Sequence, residues 1–205
     1  DAWWVLVPAG ARRIDTRATT TAELIADRQA VVLATTDDGE VVDPASLELQ
    51  SPVTAPCRVI AQMTNYVSHV RDSGMDPDKV PLTFFRKASG SIVGPNDDIV
   101  KPAHVQLLDY EVEIGLVFGR SLPVGATVDE ETLADAVAGL VITNDVSARD
   151  VQLPKTQFYE AKSYPSFTPV GPVLVLLEPG EWDTFSTLTL QLRVNGVTRQ
   201  NSTVA

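Results

Sequence analysis

From residue 56 onward the chain is a succession of short apolar runs separated by turn residues: RVIAQM, the alternating EVEIGLVFG, GLVITNDV, GPVLVLL and LTLQLRVNG. Short runs rich in Val, Ile and Leu and bounded by Gly, Pro, Asn and Asp favour strands over helices. The Asn195-Gly196 pair closing the last run is a two-residue hairpin signal. A β-rich core is the consequence. One helix interrupts it at VDEETLADAVAG, where Asp129, Glu130 and Glu131 suit the positive N-terminal end and Gly139 can close the far end.

Residues 1–55 read differently. A strand-like WWVLV is followed by a helical TTAELIADRQ and by AVVLATTDDGEVV, which reads as a second strand with a turn at DDG. The proline-containing passage LQSPVTAPCRV then leads into the β-rich part, so a boundary falls near residue 55. The expected architecture is α+β and mostly β: a small N-terminal α+β domain over 1–55 and a larger catalytic domain over 56–205. The last segment, LQLRVNGVTRQNSTVA, is a strand, a turn and the start of another strand with nothing to cover its edge. It reads as part of a longer chain.

Composition excludes some functions. With a net charge of −11 and a pI near 4.5, the summed field repels phosphate backbones and anionic membrane surfaces, so neither nucleic acid nor membrane is an expected partner. Cys57 is the only cysteine, which rules out an intramolecular disulfide or a Cys-rich zinc site and suits a reducing compartment, the cytoplasm in the simplest reading. An anionic substrate would need a bound metal ion or a cationic patch to enter.

Candidate chemistry begins in DYEVEIGLVFG. Glu111 and Glu113 stand two positions apart on a strand, so period-2 geometry turns both to one face, among apolar neighbours that cannot solvate them. A divalent cation removes the cost of burying such a pair; a solvent-facing acidic edge is the alternative. Asp145, which follows the apolar GLVIT, supplies a third hard oxygen ligand. Three carboxylates without paired His or Cys select Mg²⁺, Mn²⁺ or Ca²⁺ over zinc. Arg149 and Gln152, with Lys162 in AKSYPSF, form a polar, cationic set beside them. An Arg149–Asp150 surface pair and a solvated lysine are the plain reading, whereas next to a metal Arg149 offers a fork for a substrate carboxylate and Lys162 a compact charge for a developing enolate. His69 with Asp72 three positions on could share a helical turn as a water-activating dyad, or be an ordinary surface pair. His104 has no comparable partner and reads as structural.

Together these strings resemble the fumarylacetoacetate hydrolase superfamily. The resemblance covers about residues 56–205: NY-x-x-H at Asn65 to His69, FFRKASGSIVGPNDDIVKP around Lys87, YEVE at Tyr110 to Glu113, NDVSARDVQ at Asn144 to Gln152, KSYPSFTPVGP from Lys162, and VNGVTRQ near the end. It implies a mixed β-roll, commonly a homodimer, with Mg²⁺ or Mn²⁺ on Glu111, Glu113 and Asp145. It further implies that a 2-oxo carboxylate substrate chelates the ion, that Arg149, Gln152 and Lys162 touch substrate, and that His69 deprotonates water with help from an acidic neighbour. The sequence departs from the family pattern at Gln62, where long members carry a further carboxylate, at Asp72, where short members carry Glu, and in lacking a TGTP-x-G loop. The expected reaction is hydrolysis of a C–C bond in an acylpyruvate-like acid. Decarboxylation of a 2-oxo diacid, isomerisation or hydration of an unsaturated 2-oxo acid, and a non-catalytic metal-stabilised binding protein are the alternatives.

Overall fold

The computed structural model describes residues 1–26, 29–36, 39–63, 66, 74, 76–155, 158–178 and 181–204. Strands β1 (Trp4–Val7), β2 (Gly10–Arg13) and β3 (Val41–Val42) form an antiparallel sheet. Between β2 and β3 lie two helices, α1 (Thr21–Ile25) and α2 (Gln29–Thr36). The start of α1 is a reciprocal cap: Thr20 Oγ1 accepts the Glu23 N–H at 3.2 Å, and the Glu23 carboxylate accepts the Thr20 N–H.

Helix α2 corrects the expected second strand. AVVLATT is a short apolar run whose Val and Thr content suits either state. The helix prevails because a 3.6-residue period sets Ala30 and Leu33 on one face, where they join Leu24 and Ile25 in a buried cluster. Among the described residues of that passage only Val41–Val42 is strand. The expected DDG turn falls largely outside the described residues.

The remaining strands are β4 (Val59–Gln62), β5 (Phe84–Lys87), β6 (Ile92–Val93), β7 (Leu108–Asp109), β8 (Val112–Phe118), β9 (Val137–Asn144), β10 (Ser147–Ala148), β11 (Thr168–Pro169), β12 (Val175–Leu176), β13 (Thr189–Val194) and β14 (Val197–Thr203). β4 pairs with β5, β7 with β10 and β13 with β14, all antiparallel, while β6 and β11 run parallel. The longest pairing is β8 with β9, extended by β12 in the order β12-β9-β8. The fold is therefore α+β, mostly β, with mixed pairing. Among the described residues no helix is long and apolar enough to cross a membrane.

One expected helix is shorter than its sequence suggests. Helix α3 (Glu130–Ala136) begins where Asp129 accepts the Thr132 N–H at 2.8 Å, and it ends at Val137, which starts β9. Gly139 is therefore a strand residue, not a cap. A Cβ there would lie 2.2 Å from the Val175 carbonyl oxygen, so its missing side chain is what lets β12 lie against β9. The hairpin signal held: Asn195 (φ 51°) and Gly196 (φ 79°) turn β13 into β14.

Among the described residues, two buried clusters hold these elements. Leu24, Ile25 and Ala30 pack against Val117, Ala138, Leu174 and Leu176, so the N-terminal helices share a core with the β8-β9-β12 sheet. Val105, Val146, Ala148 and Phe167 form the second, directly behind the polar locus described next.

Candidate active site

The locus is assembled where β8 begins and β9 ends. The Asp145 N–H donates to the Glu111 carbonyl at 2.8 Å, and the Glu111 N–H donates to Asn144 Oδ1 at 3.0 Å, so the backbone fixes these two acidic residues beside each other. After Asp145 the chain turns through β10 into the single-turn helix α4 (Arg149–Gln152). The Ala148 N–H donates to the Ala161 carbonyl at 2.9 Å, which brings the segment carrying Lys162 alongside.

Five of the residues singled out in the sequence meet there. Lys162 Nζ lies 2.5 Å from both Glu111 Oε2 and Asp145 Oδ2. Arg149 Nη2 lies 2.5 Å from Glu111 Oε1 and 2.8 Å from Asp109 Oδ2, and its Nη1 donates to Gln152 Oε1 at 2.8 Å. Lys162 is 3% exposed and Asp145 7%, so these are charges removed from water and compensated by one another. The Arg149–Asp150 surface pair is not formed: Asp150 instead accepts the N–H groups of Gln106 and Leu107 at 2.8 and 3.2 Å.

The two glutamates of the E-x-E pair live in opposite fields. Burial works to raise the Glu111 carboxyl, but the Lys162 ammonium and the Arg149 guanidinium outweigh it and hold it at about 2. Burial and then the Glu111 charge push Glu113 up to about 7, with Asp145 adding to the rise and a hydrogen bond to Tyr66 opposing it. Among the described residues Glu113 makes no ion pair.

Sequence reasoning missed four contributors. Lys87, 5% exposed, reaches Asp145 Oδ1 at 2.5 Å. Phe85, on the same inward face of β5, sits with its ring centroid 5.3 Å from Lys162 Nζ. Asp109 holds Arg149, and Tyr66 bonds Glu113. The signal for the β5 pair was the alternation in FFRK, which turns Phe85 and Lys87 the same way. His69 and Asp72 lie outside the described residues. His104 Nε2 meets the Tyr164 hydroxyl at 2.9 Å, with the two rings edge to face.

Among the described residues no group of three or more His, Cys, Asp or Glu side chains is already arranged around a metal position. The donor chemistry nevertheless fits a hard divalent cation. All candidate donors are carboxylate oxygens, an ammonium already bridges two of them, and burial followed by the Glu111 charge raises the affinity of the third for a proton.

The sequence model of the fumarylacetoacetate (FAA) hydrolase C-terminal domain matches residues 58–205. The chain belongs to the fumarylacetoacetate hydrolase family. Within that family it is similar to the mitochondrial oxaloacetate tautomerase fahd2 of Xenopus laevis, at 34% identity over 168 residues, which is 79% of this chain and 50% of that protein. Among solved structures, a probable 2-hydroxyhepta-2,4-diene-1,7-dioate isomerase of Mycobacterium abscessus is 31% identical with a TM-score of 0.75, covering 97% of this chain and 69% of that one. The fumarylacetoacetate hydrolase of Exiguobacterium antarcticum is 30% identical with a TM-score of 0.66, covering 98% and 74%. The chain spans about half the length of the curated relatives it matches.

Proposed function

We propose that this family member catalyses keto–enol interconversion of a small 2-oxo diacid of the oxaloacetate type. The observation that carries the reading is Lys162 Nζ held between Glu111 and Asp145, with Arg149 beside them. Keto–enol interconversion moves one proton between C3 and the 2-oxo oxygen, and the charge that develops on that oxygen needs a nearby positive group. Lys162 Nζ supplies that charge and gives a proton to the oxygen as the C3 proton passes to solvent water, from which Lys162 is reprotonated; the reverse transfers return the keto form. Arg149 trades its contact with Asp109 or Gln152 for a substrate carboxylate, which its planar fork suits. Glu111, Glu113 and Asp145 would hold Mg²⁺ or Mn²⁺, with Ca²⁺ as a third candidate. When bound, the ion supplies Lewis acidity to the 2-oxo group.

The relatives named oxaloacetate tautomerase support this reading, and interconversion needs no activated water. Hydrolysis of an acylpyruvate C–C bond is the second reading, favoured by the His69 and Asp72 spacing in the sequence. The protein is taken to act as a homodimer, which light scattering on eluting protein would check. Its division into units over 1–55 and 56–205 is also proposed, as a division along the sequence whose N-terminal helices pack onto the β8-β9-β12 sheet. A reducing compartment, the cytoplasm, is proposed on the single cysteine.

The test is a comparison of substrates with Mn²⁺ or Mg²⁺ present. Decay of the enol absorbance of oxaloacetate should accelerate beyond the rate with metal alone, return to background with a chelator, and survive His69→Ala. Cleavage of acylpyruvates that His69→Ala abolishes, with no effect on oxaloacetate, would replace the tautomerase reading by the hydrolase.

A further inference from the structure

Strand β5 braces the site from behind. Lys87 Nζ donates to Asp145 Oδ1 at 2.5 Å and to the Phe167 carbonyl at 2.8 Å, and that same carbonyl accepts the Val146 N–H at 3.2 Å. One ammonium therefore ties β5, the turn after β9 and the segment leading into β11. The Lys87 side chain is 2% exposed, and its Nζ is occupied by Asp145 Oδ1 and the Phe167 carbonyl, so its route to the reaction runs through Asp145. A buried ammonium is costly, and an apolar residue of similar volume is often at least as stabilising. Its presence against a candidate ligand calls for a role other than stability.

The surroundings of Asp145 are asymmetric. Oδ1 faces Lys87 at the back, and Oδ2 faces Lys162, the residue placed to meet substrate. We propose that Lys87 is a positioning residue: it fixes the rotation of the Asp145 carboxylate by pinning Oδ1, leaving Oδ2 as the oxygen presented to a divalent cation. The proposal rests on the reading of Glu111, Glu113 and Asp145 as metal ligands.

A charge argument separates this role from simple neutralisation. Removing a nearby positive charge strengthens binding of a cation by electrostatics alone, whereas losing an orienting partner of a ligand weakens it, typically by about 10–100-fold. The experiment is a Mn²⁺ titration of the full chain, with free ion followed by its electron paramagnetic resonance signal and the metal-free melting temperature recorded alongside. Lys87→Met should weaken Mn²⁺ binding by about 10–100-fold, Lys87→Arg should recover most of the loss, and in an Asp145→Asn background Lys87→Met should change nothing further. Lys87→Gln, which keeps a neutral donor for the Phe167 carbonyl, repeats the test if the methionine variant does not fold. Unchanged or tighter binding in the neutral variants overturns the positioning role, as does a fall in melting temperature with affinity unaltered. Absence of Mn²⁺ binding by the unmodified protein overturns the ligand reading itself, and with it this proposal.

Discussion

The two interiors of this molecule are held by different forces. Around Leu24, Ile25 and Ala30 the contacts are apolar, and they join the N-terminal helices to the β8-β9-β12 sheet. Around Asp145 and Lys162 the contacts are charged, and they join segments from β5, β8, the turn after β9 and the stretch near residue 162. Truncating an apolar group loses an amount set by the cavity left behind, and its neighbours keep their own contacts. Deleting one charge from the second cluster strands the others, so its members are expected to respond together rather than one at a time.

The largest effect should come from cutting the charged cluster at its centre. Lys162→Met is expected to lower kcat for oxaloacetate interconversion by about 10²–10³-fold, and a double-mutant cycle with Glu111→Gln should be strongly non-additive. Additive losses would mean that the two groups act separately. In the apolar interior, Leu24→Ala should cost about 2–5 kcal/mol of stability by denaturant unfolding while leaving Mn²⁺ affinity as it was. A change in that affinity would show that the two interiors are mechanically linked.

Acidity distinguishes them next. In the unfolded chain Glu113 ionises near its ordinary value of 4.5, but in the fold it keeps its proton up to about 7. The stability this contributes is present below 4.5 and is lost as pH rises towards 7. Glu111, held at about 2, has the opposite sign: its contribution is present above 4.5 and disappears as pH falls through 2. A cation that engages Glu113 must displace its proton, so Mn²⁺ affinity should climb about tenfold per pH unit below about 7 and level off above it. A flat profile would take Glu113 out of the ligand set. The smallest expected effect is local: Thr20→Ala removes the cap of α1 and should cost about 1 kcal/mol, visible as a small fall in melting temperature with no change in activity.

These two interiors also differ in how far the sequence foretells them. The strand runs and the Asn195-Gly196 turn were legible because period, composition and turn chemistry are local properties. Helix α2 was not, because its choice between helix and strand is made by what Ala30 and Leu33 can pack against. Glu111, Asp145, Arg149, Gln152 and Lys162 could be singled out as types at telling spacings, but not their pairing, since Glu111 and Lys162 lie 51 residues apart. Lys87 was passed over for the same reason. Nothing in FFRK says that the partner of its lysine lies 58 residues further on.

Gly139 shows how a residue without chemistry can come under as tight a limit as one with it. It sits in β9, six residues before Asp145, with the Val175 carbonyl where its Cβ would be. Alanine, the mildest replacement available, would force β12 away from β9 and disturb the strand that delivers Asp145. In a library of single substitutions screened for turnover, this position should look as intolerant as the charged residues themselves. Mutational sensitivity in this protein should therefore map the supports of the site together with the site, and unfolding measurements beside the turnover screen would tell a strand support such as Gly139 from the charged residues.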